Sequence, residues 1–221
     1  MRVELLDKEY FQNDSWLKKI YNSYRRCYSG SDEFNEVSKD DMISFIDKHS
    51  NHESPLEHVN ITVHIQGVSR SLTHQLVRHR LASYSQMSQR YVKKNFEYII
   101  PPSIKKNKTA LDLYVKEMKN LNDLYLKFVN AGIPNEDARY IFPNGAETKI
   151  VMSMNIRMWK HFFAERCCYK AQWEIRTLAN EILTLFKDNI DIVFANVGPK
   201  CIKLGKCPEN KSCGFIDKYL K

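Results

Sequence analysis

Val59, Ile61, Val63 and Ile65 alternate strictly with Asn60, Thr62 and His64. A period of two places the apolar set on one face of a strand and the polar set on the other, so this segment demands a half-buried sheet. Its surroundings read mainly as helix. Trp16, Leu17, Ile20, Tyr24 and Cys27 recur at helical spacing over 15–28. Ser38 suits an N-cap, with Asp40 and Asp41 in the first turn, where the helix dipole favours them, and Met42, Ile43, Phe45 and Ile46 behind. Residues 109–131 form a long amphipathic pattern ended by Gly132, and Pro134 suits the start of a further short helix.

Weaker signals fill the gaps. Residues 2–6 predict a first strand, 52–58 a polar loop broken by Pro55, and Ser69 to about Arg80 a short helix. A serine- and tyrosine-rich irregular stretch precedes a strand at 96–100, stopped by Pro101-Pro102. Residues 147–154 predict a strand, 155–187 helix interrupted near Cys167-Cys168, and 198–221 a cysteine- and lysine-rich loop tail. The expected architecture is α+β: a central, mostly antiparallel sheet flanked by long helices, in a single domain over 1–221.

The 221 residues are 43% hydrophobic and 27% charged, which excludes collagen-like, low-complexity and disordered classes. No apolar run approaches the ~18 residues of a membrane span, and the first residues carry acids where a signal peptide is apolar. The expectation is a soluble cytoplasmic protein with no membrane partner. Lys plus Arg is 34 and Asp plus Glu 26, so the net charge is 34 − 26 = +8. The excess is local. Between Glu57 and Glu97 there is no acid, while Arg70, Arg78, Arg80, Arg90, Lys93, Lys94 and four histidines fall in that stretch. Such a segment predicts an anionic ligand at a defined site rather than a general coating.

Within it, Gln75-Leu76-Val77-Arg78-His79-Arg80 leads through serines and amides to Gln86-Met87-Ser88-Gln89-Arg90-Tyr91. Arginine grips phosphate with two parallel hydrogen bonds, and amides and hydroxyls match the edge of a heterocyclic base. A second set is Asn155, Arg157, His161 and Arg166, in which Arg157 and His161 share a helix face. Asn155 and Arg166, three turns apart, share a face if the helix stays regular. The simpler reading of the first set is arginines paired with distant carboxylates, and of the second a capping Asn and an ordinary basic surface.

Six cysteines in a chain of this kind fit reduced thiols better than a disulfide framework. Cys201-x5-Cys207-x5-Cys213 lacks the close pairing of zinc ligands and is one ligand short; Cys167 or Cys168 completes a set only if the fold brings it there. His52-Glu53 with Glu57-His58 matches no hydrolytic zinc motif, so no metal is expected.

Arg78-His79-Arg80, seven residues, then Ser88 is the pattern R-H-R-x7-S. It resembles the signature of the flavin-dependent thymidylate synthases. Ala138-Arg139-Tyr140 to Pro143, Asn155-x-Arg157 with His161, and Arg166 followed by 171–176 resemble further family segments in the same order, so the similarity spans about residues 40–190. The resemblance implies reductive methylation of dUMP to dTMP, with methylenetetrahydrofolate as carbon donor and FAD, reduced by NADPH, as hydride source. It implies FAD contacts from Ser54, Glu57, Arg78, His79, Arg80, Gln86, Asn155, Arg157 and His161. For dUMP it implies Gln75, Leu76, Val77, Arg78, Gln86, Met87, Ser88, Gln89, Arg90, Arg139 and Arg166, and it makes Arg166, set against the uracil ring, the catalytic group. His52 and Tyr91 match positions where folate or nicotinamide stacks. Gln86 departs from the glutamate of several members. The resemblance also implies a homotetramer with shared sites, and it leaves the cysteine tail without a role.

Two other readings fit parts of the sequence. Basic residues interleaved with Tyr84, Tyr91, Phe96 and Tyr98 could bind nucleic acid by charge and stacking. A flavoprotein without catalysis would need FAD but not the set Arg78, Ser88, Arg139 and Arg166.

Overall fold

The computed structural model describes residues 1–30, 36–92 and 97–219. The strands are β1 (Arg2–Leu5), β2 (Asn60–Ser69), β3 (Ser83–Gln86) and β4 (Glu147–Asn155). The helices are α1 (Lys8–Phe11), α2 (Ser15–Tyr28), α3 (Lys39–Lys48), α4 (Arg70–Leu76), α5 (Pro102–Lys105), α6 (Lys108–Asn130), α7 (Asn135–Ala138), α8 (Ile156–Arg166), α9 (Trp173–Phe194), α10 (Lys200–Leu204) and α11 (Phe215–Tyr219). Among the described residues the strands form one antiparallel sheet in the order β1-β2-β4-β3, with helices making up most of the chain, so the α+β class holds.

The chain divides into two compact units, one of 1–2, 65–78 and 84–151, the other of 3–64, 79–83 and 152–221. β2 and β4 each run through both.

In the second unit the alternation of β2 is realised: Val59, Ile61 and Val63 are buried, and Thr62 on the other face meets Ser153 of β4 through its hydroxyl at 2.9 Å. The core is aromatic. Trp159 and Phe163 of α8 pack against Phe186 of α9, Phe163 also meets Phe194, and Trp159 and Phe186 lie edge to face at 5.0 Å. The indole N–H of Trp159 donates to the Ile61 carbonyl at 3.1 Å, so this buried donor is satisfied. Ser38 caps α3 by accepting from the Asp41 N–H.

In the first unit, Gly67 carries β2 past the chain start at φ 68°. A Cβ there would lie 3.2 Å from the Met1 backbone, so glycine is required on both counts. Tyr114 of α6 donates to the Ile99 carbonyl at 2.9 Å, and Tyr125 packs on Phe142.

Several expectations are corrected. The helix from Ser69 stops at Leu76, not near Arg80, because the Tyr84 hydroxyl takes the Leu76 carbonyl at 2.7 Å. The Ser/Tyr stretch after it contains β3. Of the strand expected at 96–100, Phe96 lies outside the described residues, and the rest is a single bridge from Tyr98 to Ala146. The 52–58 loop is a 3-10 turn over Ser54–His58. The tail is not all loop, since α10 and α11 lie in it.

Candidate active site

The second unit holds most of the residues expected at FAD, while Arg78 and Gln86 lie in the first. Asn155 ends β4 and caps α8, its side-chain oxygen accepting from the Met158 N–H at 2.9 Å. It therefore precedes the helix and does not share a regular helix face with Arg166. Arg157 and His161, one turn apart, line a cleft of about 750 Å³ together with Lys160, Lys200 and Lys203. Arg157 reaches back to the 3-10 turn, donating to Glu57 at close range and lying 4.0 Å from Glu53. Glu53 also takes Lys203 at 3.0 Å. His52 and Ser54 meet through Nε2 and Oγ at 2.8 Å, and the other His52 nitrogen lies 3.3 Å from the Tyr28 hydroxyl. Thus His52, Ser54, Glu57 and Arg157 share one side of this unit. The ion pairs are partly exposed, so their contribution to stability is small, on the order of 0–1 kcal/mol each.

Tyr24 lines the same cleft, and its hydroxyl is buried with no hydrogen-bond partner among the described residues. Burial, reinforced by Glu53, pushes it up to about 12, so it stays a donor. Burial also lowers the Lys160 ammonium, against the attraction of Glu53. A cleft with arginine, lysine and histidine donors suits a ligand bearing phosphates.

Arg166, the last residue of α8, donates from Nε to His79 Nε2 at 2.9 Å. His79 packs edge-on against Phe162 at 5.0 Å and lies 6.4 Å from the His161 ring. Burial, then Arg166 and His161, push its imidazole down to about 4, with Glu165 opposing. Arg80 is exposed.

The first unit gathers most of the residues expected at dUMP. Leu76 is wholly buried, so a role for it falls to its backbone; Val77 and Arg78 are exposed beyond the helix end, and Gln75 is half-buried. Gln86 on β3 donates to the buried hydroxyls of Thr73 at 3.0 Å and Thr148 at 3.2 Å. Met87 continues the pairing to the Lys149 carbonyl. Ser88 Oγ accepts from the Arg90 N–H at 3.2 Å and shapes the turn that includes Gln89. Glu136 then links two arginines: its carboxylate lies 2.6 Å from Arg90, and its carbonyl accepts from Arg139 Nε at 3.0 Å. Arg90 also lies over the exposed Tyr91 ring at 5.3 Å.

Sequence reasoning missed Glu53, Lys160, Tyr24 and Glu136 as site residues. Lys160 was findable from its place between Arg157 and His161. Tyr24 carried only a core signal. Arg70 counted only as charge, yet burial and the nearby Arg139 both lower its guanidinium, which marks a pair of cations held close in the first unit.

Residues 10–190 match the family described as thymidylate synthase complementing protein. The chain is 44% identical to the flavin-dependent thymidylate synthase of Clostridium tetani, covering 100% of this chain and 96% of that protein. It is 42% identical to that of Nitratidesulfovibrio vulgaris, over 96% of this chain and 94% of the relative. With that of Geobacter sulfurreducens the identity is 45%, over 86% and 85%. The chain belongs to the thymidylate synthase complementing protein family.

Proposed function

We infer that this chain is an FAD-dependent enzyme that methylates dUMP to dTMP, taking its carbon from methylenetetrahydrofolate and its reducing power from NADPH. The observation that carries the reading is the cleft that Arg157, Lys160 and His161 line together. Its donors suit the pyrophosphate of FAD, and Asn155, Ser54, Glu57, His79 and Arg80 of the same unit are its further contacts. Bound FAD, once reduced by NADPH, would supply the hydride needed to turn the transferred methylene group into a methyl group.

The protein's part is to bind, orient and stabilise charge. Arg70, Arg90 and Arg139 offer fixed cations for the nucleotide phosphate, while the strand and turn 86–90 offer amide and hydroxyl groups to the pyrimidine. Arg166 is held by a neutral His79 and keeps its full charge, so it can stabilise negative charge developing on the uracil ring and make carbon 5 more nucleophilic. His52 and Tyr91 are offered for stacking by folate or nicotinamide.

We further propose a single functional domain that assembles as a homotetramer with shared sites. In support, α6 buries only Met118 and Tyr125 while Leu113, Val115 and Leu124 are exposed. No described helix is long and apolar enough to cross a membrane, and the cytoplasm is the proposed location. The visible spectrum tests the reading: added FAD should bind and its oxidised band should shift on adding dUMP. Failure to bind FAD under any condition would sink it and direct attention to nucleic acid.

A further inference from the structure

We propose that Cys168, Cys201, Cys207 and Cys213 bind one zinc ion, which clasps the C-terminal tail to the bend after α8. The spacing of the tail cysteines argues against a metal, because it offers three ligands and no close pair. The fold supplies the fourth. Cys168 lies in the turn between α8 and α9, and its residue lines one small void with Cys201, Cys207 and Cys213. The void is about 10 Å³, room for roughly one water-sized sphere.

Among the described residues no three His, Cys, Asp or Glu side chains already stand in metal-holding geometry. Binding must therefore draw the thiols inward. The chain permits it: Cys207 and Cys213 lie in a segment without helix or strand, bracketed by Gly205 at φ 64° and Gly214 at φ 75°. Four thiolates around a divalent cation leave two negative charges. Lys200 and Glu209 both line the void and offset each other, while Lys206 and Lys211 of the same tail leave the local charge positive, which favours that product. All six cysteines are free thiols. Cys167 is buried, lies outside the void and serves the core.

A zinc ion here would reinforce a junction already marked by the ion pair of Lys200 with Glu165 at 3.2 Å, and Cys168 is two residues from Arg166. The proposal does not depend on the synthase reading. The test is to purify the full chain under reducing conditions, strip it with a chelator, titrate it with Co²⁺, and then displace the Co²⁺ with Zn²⁺. The expected result is about one metal per chain, with the visible bands and thiolate charge-transfer absorption of a tetrahedral four-sulfur site. Zn²⁺ should also raise the melting temperature. The double variant Cys207→Ser/Cys213→Ser should lose the metal and keep its far-ultraviolet circular dichroism, while Cys27→Ser keeps the metal. A colourless cobalt-treated wild type, equal binding by the double variant, or a disulfide among these four cysteines would each overturn the proposal.

Discussion

Arg166 donates from Nε to Nε2 of His79 at 2.9 Å. Arginine has no lone pair to accept with, so the imidazole must be the acceptor, neutral and protonated on Nδ1. A neutral partner orients the guanidinium without cancelling its charge, which a carboxylate in the same place would do. This is the arrangement a group needs if its task is to meet negative charge as it develops on a substrate.

Arg166→Ala should reduce turnover by roughly 100- to 1,000-fold, the range for losing one preorganised charge-stabilising group. The flavin spectrum should show FAD still bound. Turnover near that of the parent would remove Arg166 from the mechanism.

His79 should remain neutral through the physiological range. Its folded value, about 4, lies below its ordinary 6.5. The unfolded chain therefore takes up the proton first as pH falls, so His79's contribution to stability is complete above about 6.5 and is lost on descending toward about 4. Titration of the His79 ring signals by nuclear magnetic resonance checks this; an inflection at 6.5 would contradict it.

Ser88→Ala should keep measurable activity. The hydroxyl accepts from the Arg90 N–H and so shapes a turn, and it has no neighbouring base in the described contacts of its unit to activate it. Complete loss of turnover with dUMP binding intact, measured by calorimetry, would make Ser88 a nucleophile.

Gln86 holds two buried threonine hydroxyls, and Thr73 Oγ1 already donates to the Arg70 carbonyl. Gln86→Leu strands those acceptors and should cost about 1–3 kcal/mol in denaturant unfolding at unchanged m-value. Gln86→Glu should cost less, because the Thr148 hydroxyl can rotate to donate to the carboxylate. Equal losses in the two variants would show that the threonines do not depend on Gln86.

Much of the fold was legible where the signal is local. The alternation of β2, the 15–28 helix, the Ser38 cap and the long helix ended by Gly132 each arise from residues close in sequence. Where partners are distant the sequence was silent. β3 is exposed to half-buried, carries no alternating apolar set, and exists because β4 pairs with it. α4 ends early through the hydroxyl of Tyr84, eight residues on. The site divides in the same way. Helical spacing placed Arg157 with His161, but nothing local joins Arg157 to Glu57, 100 residues away, or Arg166 to His79, 87 away. The resemblance placed these residues in one site without indicating which would touch.

The most direct measurement of the central claim is tritium release from dUMP labelled at carbon 5, with and without FAD, NADPH and methylenetetrahydrofolate. Release that requires all three, accompanied by dTMP, is the predicted result. A protein that binds FAD and dUMP yet releases no tritium, or that releases it without flavin, would contradict the account.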